Sequence, residues 1–384
     1  MTVQPLALPR PAPLDWISPT QANALLACAY RVVLAALGAV DRRPTPFTAI
    51  GLTAHRLHEL IATGAFAGMP TEGRRAALEG AWDAEIGAWN DKLVKAWAPA
   101  VPPDPSVWPG IDLTRSRVIR SLLRDGSWDA TGHAEPGGVE PRALGAQPGL
   151  PHLPQVELRL EDARTRIFGY LDRLEEAQGQ LLVVDVKSGV LQGDATDEQR
   201  RQLLLYASLV RAVLGRLPTS LLIQDAAGRR RPMEFTEADV DEAVRDVDDG
   251  REHLNLAIGG GTDLAQLAAP EPDHCASCSQ RLACAPYWNA LSSAWGHGSA
   301  LGEVAGLTAG ANGTTVRLLL TSPTDRAGSP MTLTGVSTSP AVGEVVAAIG
   351  FELTSSAFVM RGRWDSRVRP WTDALEVSGT EVQL

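Results

Sequence analysis

The chain has 384 residues, with 44% hydrophobic and 21% charged side chains, an ordinary balance for a globular protein that leaves room for two domains. Thirty-five Lys and Arg against 45 Asp and Glu give a net charge of −10, which excludes a protein coated in positive charge but not one with a local basic patch. Four cysteines are too few for a disulfide-stapled scaffold, no apolar run approaches the roughly 20 residues of a membrane span, and "MTVQPLALPRPAPLDW" has no basic stretch leading into an apolar core. The expected location is cytoplasmic, with no membrane partner.

Residues 1–15 are Pro-rich and read as an extended arm. "SPTQANALLACAYRVVLAALG" follows as one helix, capped by Ser18 or Thr20 and ended by Gly38. "FTAIGLTAHRLHELIATGAF" is a second, with His55 and Glu59 on one face. Further helices are expected between about 72 and 125, broken by "APAVPPDPSVWPG", and a Gly/Pro-rich loop over 126–152. "QVELRLED", "RIFGYLDRLEE" and "QLLVVDVKSG" then read as an antiparallel meander. "DEQRRQLLLYASLVRAVLG" is a helix, "PTSLLIQD" a strand, and "TEADVDEAVRDVDDGREHLNLAI" a helix with Thr236 and Asp239 in capping-box positions.

Past "LSSAWGHGSALG", read as a linker, come "TTVRLLLTS", "MTLTGVS", "EVVAAIGFEL", "AFVMRGRW" and "ALEVSG". These short runs predict a second, all-β domain over 300–384, following a first domain over 1–294, with an oligonucleotide-binding-like five-stranded barrel as one form. Phe358, Arg361, Arg363 and Trp364 are its candidates for stacking on bases, or else core residues. The basic runs Arg115 to Arg124, Arg200–Arg201 and Arg229 to Arg231 each read as solvated faces before they read as binding patches.

Chemistry concentrates in the meander. Strand alternation points Asp185 and Lys187 the same way, either as a surface ion pair or as part of a metal site. A turn near Gly179 lays the strand of Asp172 beside that of Asp185, bringing two carboxylates and an ammonium to one sheet end. Paired carboxylates suit Mg²⁺ or Mn²⁺, and a lysine beside them suits an attacking water or developing negative charge. Glu157 and Glu59 are weaker candidates, each reading first as a surface carboxylate of its strand or helix.

"GYLDRLEEAQGQLLVVDVKSG" resembles the core of the PD-(D/E)xK nuclease superfamily, with Asp172 as the first acid and Asp185-x-Lys187 as the second motif. Leu171 stands where that family often has proline. "RRQLLLYASL" resembles the Q-x-x-x-Y motif of the RecB-like branch through Gln202 and Tyr206, and "GLTAHRLHEL" its G-x-x-x-H motif through His55. The resemblance implies a restriction-endonuclease-like α/β (α+β) core and a Mg²⁺- or Mn²⁺-dependent deoxyribonuclease. It implies an exonuclease on single strands or DNA ends, in repair, recombination or phage defence. His55, Asp172, Asp185 and the Val186 carbonyl would hold metal, Lys187 would orient water, and Gln202 and Tyr206 would position the strand. No G-x-x-x-x-G-K-[ST] motif is present, so unwinding would need a helicase partner.

Cys275, Cys278 and Cys284 form C-x2-C-x5-C, and Cys28 lies far upstream. Clustered thiols point to metal, and four of them fit either a [4Fe–4S] cluster or a structural Zn²⁺. The arrangement resembles the iron–sulphur subgroup of the same nucleases (AddB-type and CRISPR adaptation exonucleases), which favours the cluster as a staple. Ala29 stands where those proteins often have proline. The rival is a non-catalytic DNA-binding or scaffolding subunit, which the intact Asp172, Asp185 and Lys187 oppose.

Overall fold

The computed structural model describes residues 3, 9–39, 45–97, 104–124, 155–187, 189, 193–310, 313–336, 338–356, 358–361 and 367–371. The expected loop over 126–152, the run "ALEVSG", Arg363 and Trp364 lie outside the described residues.

The first expected helix is two. α1 (Pro19–Ala27) starts in a capping box made by Ser18 and Gln21, and α2 (Ala29–Ala36) starts one residue after it ends. Cys28 sits between them in extended backbone, φ −164° and ψ 100°. The apolar pattern runs through this break without a Gly or Pro, so nothing local announces it. α3 (Pro46–Ala62) is capped by Thr45, and α4 (Thr71–Trp97) and α5 (Ile111–Arg124) complete a helical layer with its own core around Leu57, Trp82, Ile119 and Leu122.

The meander forms as expected: β1 (Gln155–Asp162), β2 (Ile167–Ala177) and β3 (Gln180–Val186) are successively antiparallel. α6 (Asp197–Leu214) crosses over to β4 (Ser220–Gln224), which runs parallel to β3. β5 (Arg230–Met233) closes the five-stranded sheet β1-β2-β3-β4-β5 as an edge. "RRPM" was read only as part of a basic run; Pro232 is tolerated because the strand is an edge. α7 (Glu237–Gly259), capped as expected by Thr236 and Asp239, packs on α1 and α6, which in turn cover the sheet. The resulting core centres on Leu171, Val183, Leu205 and Leu209. Gly228, at φ +77°, lets the β4–β5 turn reach α5, because a Cβ there would collide with Ser121 Oγ.

α8 (Pro272–Ala276) and α9 (Ala285–Ala290) carry the cysteine segment. The expected linker is structured: Tyr287 stacks on His297 with an interplanar angle of 9°, and Trp295 meets His297 edge-on. His297 Nε2 donates to the Pro272 carbonyl at 2.8 Å, so Nδ1 accepts from the Tyr287 hydroxyl at 3.2 Å. Burial pushes the Tyr287 phenol up to about 12 and the His297 imidazole below its ordinary value.

The C-terminal strands are β6 (Ala300–Gly310), β7 (Gly313–Ser322), β8 (Pro330–Val336), β9 (Val345–Ile349), β10 (Glu352–Leu353), β11 (Val359–Arg361) and β12 (Arg367–Pro370). Their order is β10-β11-β8-β7-β6-β9-β12, with β11 parallel to β8 and the other pairs antiparallel. β6 was not anticipated, because "ALGEVAGLTAG" is built of small residues with little strand propensity. Its Leu301, with Ala347 and Ile349 of β9, shares a core cluster with Tyr287, Trp288 and Leu291, so the β-sheet docks on the cysteine segment. No helix among the described residues is long and apolar enough to cross a membrane.

Candidate active site

Asp185 lies within the buried run that closes β3, one residue before its end, and is itself only 3% exposed. A carboxylate so enclosed is costly to leave unpaired, and Lys187 Nζ lies 2.8 Å from its Oδ2. The Lys187 side chain is 32% exposed, so it reaches from the buried acid to solvent. Its backbone N–H donates to the Gln224 carbonyl at 2.7 Å, which ties the end of β3 to β4.

Asp172 stands on β2 beside this end. Its Oδ2 accepts from the Val186 N–H at 2.6 Å, and its Oδ1 lies 3.9 Å from His55 Nδ1 on α3. Two strands and a helix from a separate layer therefore meet at these groups. On β1 the flanking pairs Val156–Arg173 and Leu158–Leu171 put position 157 opposite position 172 in register. Glu59 is engaged elsewhere, 2.6 Å from Arg56 on the face of α3.

α6 supplies the other side. Lys187 Nζ donates to Gln202 Oε1 at 3.3 Å, and Gln202 Nε2 donates to the Tyr206 hydroxyl at 3.2 Å. Two groups missed in the sequence hold this chain in place. Asn23 of α1 donates to the Glu198 carbonyl and accepts from Arg201, both at 2.9 Å, clamping the first turn of α6. Gly169 lets β2 approach the Tyr206 ring, since a Cβ there would lie 2.9 Å from Tyr206 Cε1. An isolated glycine inside a strand pattern is a signal for close backbone approach; Asn23 carries no such signal.

Hard carboxylate oxygens with one imidazole are a donor set suited to Mg²⁺ or Mn²⁺. Among the described residues no three His, Cys, Asp or Glu side chains converge as a ready ion cage. The Asp185 and Asp172 oxygens are turned instead to the Lys187 ammonium and the Val186 N–H.

The four cysteines are free and line one pocket between α1, α2 and the segment from α8 to α9. Burial pushes the Cys275 and Cys278 thiols up and the Cys284 thiol furthest, with the neighbouring thiols adding to the rise in Cys284. Arg31 and Arg281 also line the pocket, and the Ala269 N–H donates to Cys28 Sγ at 3.5 Å. Cationic side chains and an N–H donor suit a group of thiolates, which carries negative charge.

Several arginines of the basic runs are held in ion pairs. Arg115 pairs with Asp83, Arg200 with Asp239, Arg229 with the fully buried Asp225 and Arg230 with Glu175. In the β-sheet, Phe358 is 53% exposed and Arg361 is exposed.

A family profile described as the PD-(D/E)XK nuclease superfamily matches residues 16–285, a span that begins just before α1 and ends just after Cys284. No curated protein matches the chain.

Proposed function

The chain belongs to the PD-(D/E)XK nuclease superfamily, and from that premise we propose that it is a metal-dependent deoxyribonuclease acting on single strands or DNA ends. The observation that carries this reading is the meeting of Asp172, Asp185 and Lys187 at one sheet end, with His55 brought from α3. Nucleases of this superfamily are phosphodiester hydrolases that generally use divalent metals such as Mg²⁺.

His55, Asp172, Asp185 and the Val186 carbonyl are the proposed ligands. When bound, Mg²⁺ or Mn²⁺ would supply a Lewis acid at the phosphate, adding to the charge of the Lys187 ammonium. The Lys187 ammonium is restrained by Asp185 on one side and Gln202 on the other. In this reading its positive charge orients the water and stabilises the developing negative charge. Tyr206 fixes Gln202, so the pair sets both the lysine and the approach of the strand.

Cys28, Cys275, Cys278 and Cys284 are the proposed ligands of a [4Fe–4S] cluster, with a structural Zn²⁺ as the alternative. The cluster would tie the α1–α2 junction to the segment after α7. Closing so long a loop is entropically costly, so its role is to stabilise the fold. In the C-terminal sheet, β11 pairs parallel with β8 and β12 antiparallel with β9. We read this sheet as an oligonucleotide-binding-like barrel and assign it to delivering single strands. Repair, recombination and phage defence are the processes this reading serves. A helicase is the natural partner and the cytoplasm the natural setting.

The test is digestion of 5′- and 3′-labelled single and double strands by protein purified without oxygen, with Mn²⁺ or Mg²⁺ and then with chelator. Cleavage that the chelator stops supports the proposal. Binding without cleavage under every metal condition favours a scaffolding subunit instead.

A further inference from the structure

β1 and β2 carry a strip of side chains, next to the acids, that the reaction proposed above does not use. Alternation puts Phe168, Tyr170 and Asp172 on one face of β2, with Tyr170 about 6.7 Å from Asp172 along the strand. Tyr170 is 45% exposed, a large ring left open to solvent two residues before the first acid. The register pairs it with Arg159 on β1, and Phe168 with Glu161. Among the described residues β1 is the edge of its sheet, so the strip runs from the acids toward that edge.

Arg159 is held in place but not used up. Its Nη2 lies 3.1 Å from Glu161 Oε2, and its guanidinium carbon stands 5.9 Å from the centroid of the Phe168 ring. Its Nε is buried and has no hydrogen-bond partner among the described residues, and the side chain is 30% exposed. A guanidinium seated on an aromatic face and braced by one carboxylate loses little freedom on meeting an anion. An exposed ring beside a preset guanidinium is the combination that single-stranded nucleic acid needs: a face for a base and a charge for a phosphate.

We propose that Tyr170 and Arg159 form a nucleotide subsite beside the cleavage position, in which one base of a single strand stacks on Tyr170 and its phosphate rests against Arg159. The inference rests on the nuclease reading and adds to it a reason for preferring single strands, because a paired base has no free face to offer.

The test measures binding of a labelled single-stranded oligonucleotide to the full chain by fluorescence anisotropy, without divalent metal so that nothing is cut. Tyr170→Ala should weaken binding by roughly ten-fold, within the range found for losing one stacked base, while Tyr170→Trp retains it. Arg159→Ala should lower the salt-dependence slope by about 0.7, the value for one phosphate contact on a single strand. A series of oligonucleotides with one abasic position, stepped along the strand, should contain one that the wild type binds as weakly as Tyr170→Ala binds the intact strand. Duplex affinity should not respond to Tyr170→Ala. Thermal melts of each variant at the wild-type temperature establish that the sheet is intact. If the wild type binds and cuts single strands and Tyr170→Ala binds them within two-fold of it, the subsite is wrong and the nuclease reading stands. If the wild type neither binds nor cuts nucleic acid, the nuclease reading fails and the subsite falls with it.

Discussion

Gly169→Ala is a one-carbon change that tests whether α6 positions the active lysine. The new Cβ would lie 2.9 Å from Tyr206 Cε1, 3.2 Å from Pro19 Cδ and 3.3 Å from Leu209 Cδ1. Carbon atoms rest at about 3.5–4.0 Å, so the tyrosine ring must retreat by roughly 0.6 Å or more. Pro19 and Leu209 crowd the same point, so the strain does not dissipate easily. Overpacking of this kind costs about 1–3 kcal/mol, a fall in melting temperature of a few degrees for a domain of this size. The effect on cleavage should be larger. The Tyr206–Gln202 and Gln202–Lys187 bonds stand at 3.2 and 3.3 Å, already near the long end of the hydrogen-bond range. Moving Tyr206 breaks the first and frees Gln202 from the second. The assay pairs a thermal melt with initial cleavage rates at saturating metal. The expected result is a folded protein with a rate at least ten-fold down, partly restored by adding Leu209→Ala, which makes room. Wild-type rates from a Gly169→Ala protein whose melting temperature has dropped would show that α6 does not position the lysine.

Asn23→Ala removes the clamp between α1 and α6, and should lower the cleavage rate while leaving the cysteine centre intact, read as unchanged metal content. Protein prepared without oxygen should be brown with about four iron atoms, and Cys28→Ala should lose both colour and thermal stability; colourless protein with one zinc would select the alternative metal. Burial holds the His297 imidazole below its ordinary value near 6.5, so it stays neutral in the fold while the unfolded chain takes up a proton. Stability should therefore fall as pH drops below about 6.5 and level off beneath the folded value. In thermal melts at pH 7.5 and 5.5, His297→Gln should show a smaller difference than the wild type.

The site was legible where chemistry and strand alternation coincide. Asp185 and Lys187 were expected to point the same way, and their 2.8 Å pair follows from that spacing. The meander and the crossover helix were legible from their apolar periods, and α1 and α7 also from their caps, since Ser18 and Thr236 each bond the backbone they were spaced to reach; the Thr196 cap of α6 emerged only in the structure. What escaped had no local signal. The break at Cys28 interrupts an unbroken apolar pattern, and β6 is too rich in small residues to read as a strand. "LSSAWGHGSALG" reads in sequence only as a linker between domains. Its His297 and Trp295 are instead organised by Tyr287, a residue on another element, and a side chain's partner across the fold is not written in its neighbours.

The most direct measurement compares wild type and Asp185→Ala on a 5′-labelled single strand with Mn²⁺. The two carboxylates and Lys187 act as a unit in this account, so Asp185→Ala should lose cleavage to background while keeping its fold and its affinity for the oligonucleotide. Cleavage by Asp185→Ala at the wild-type rate would contradict the account.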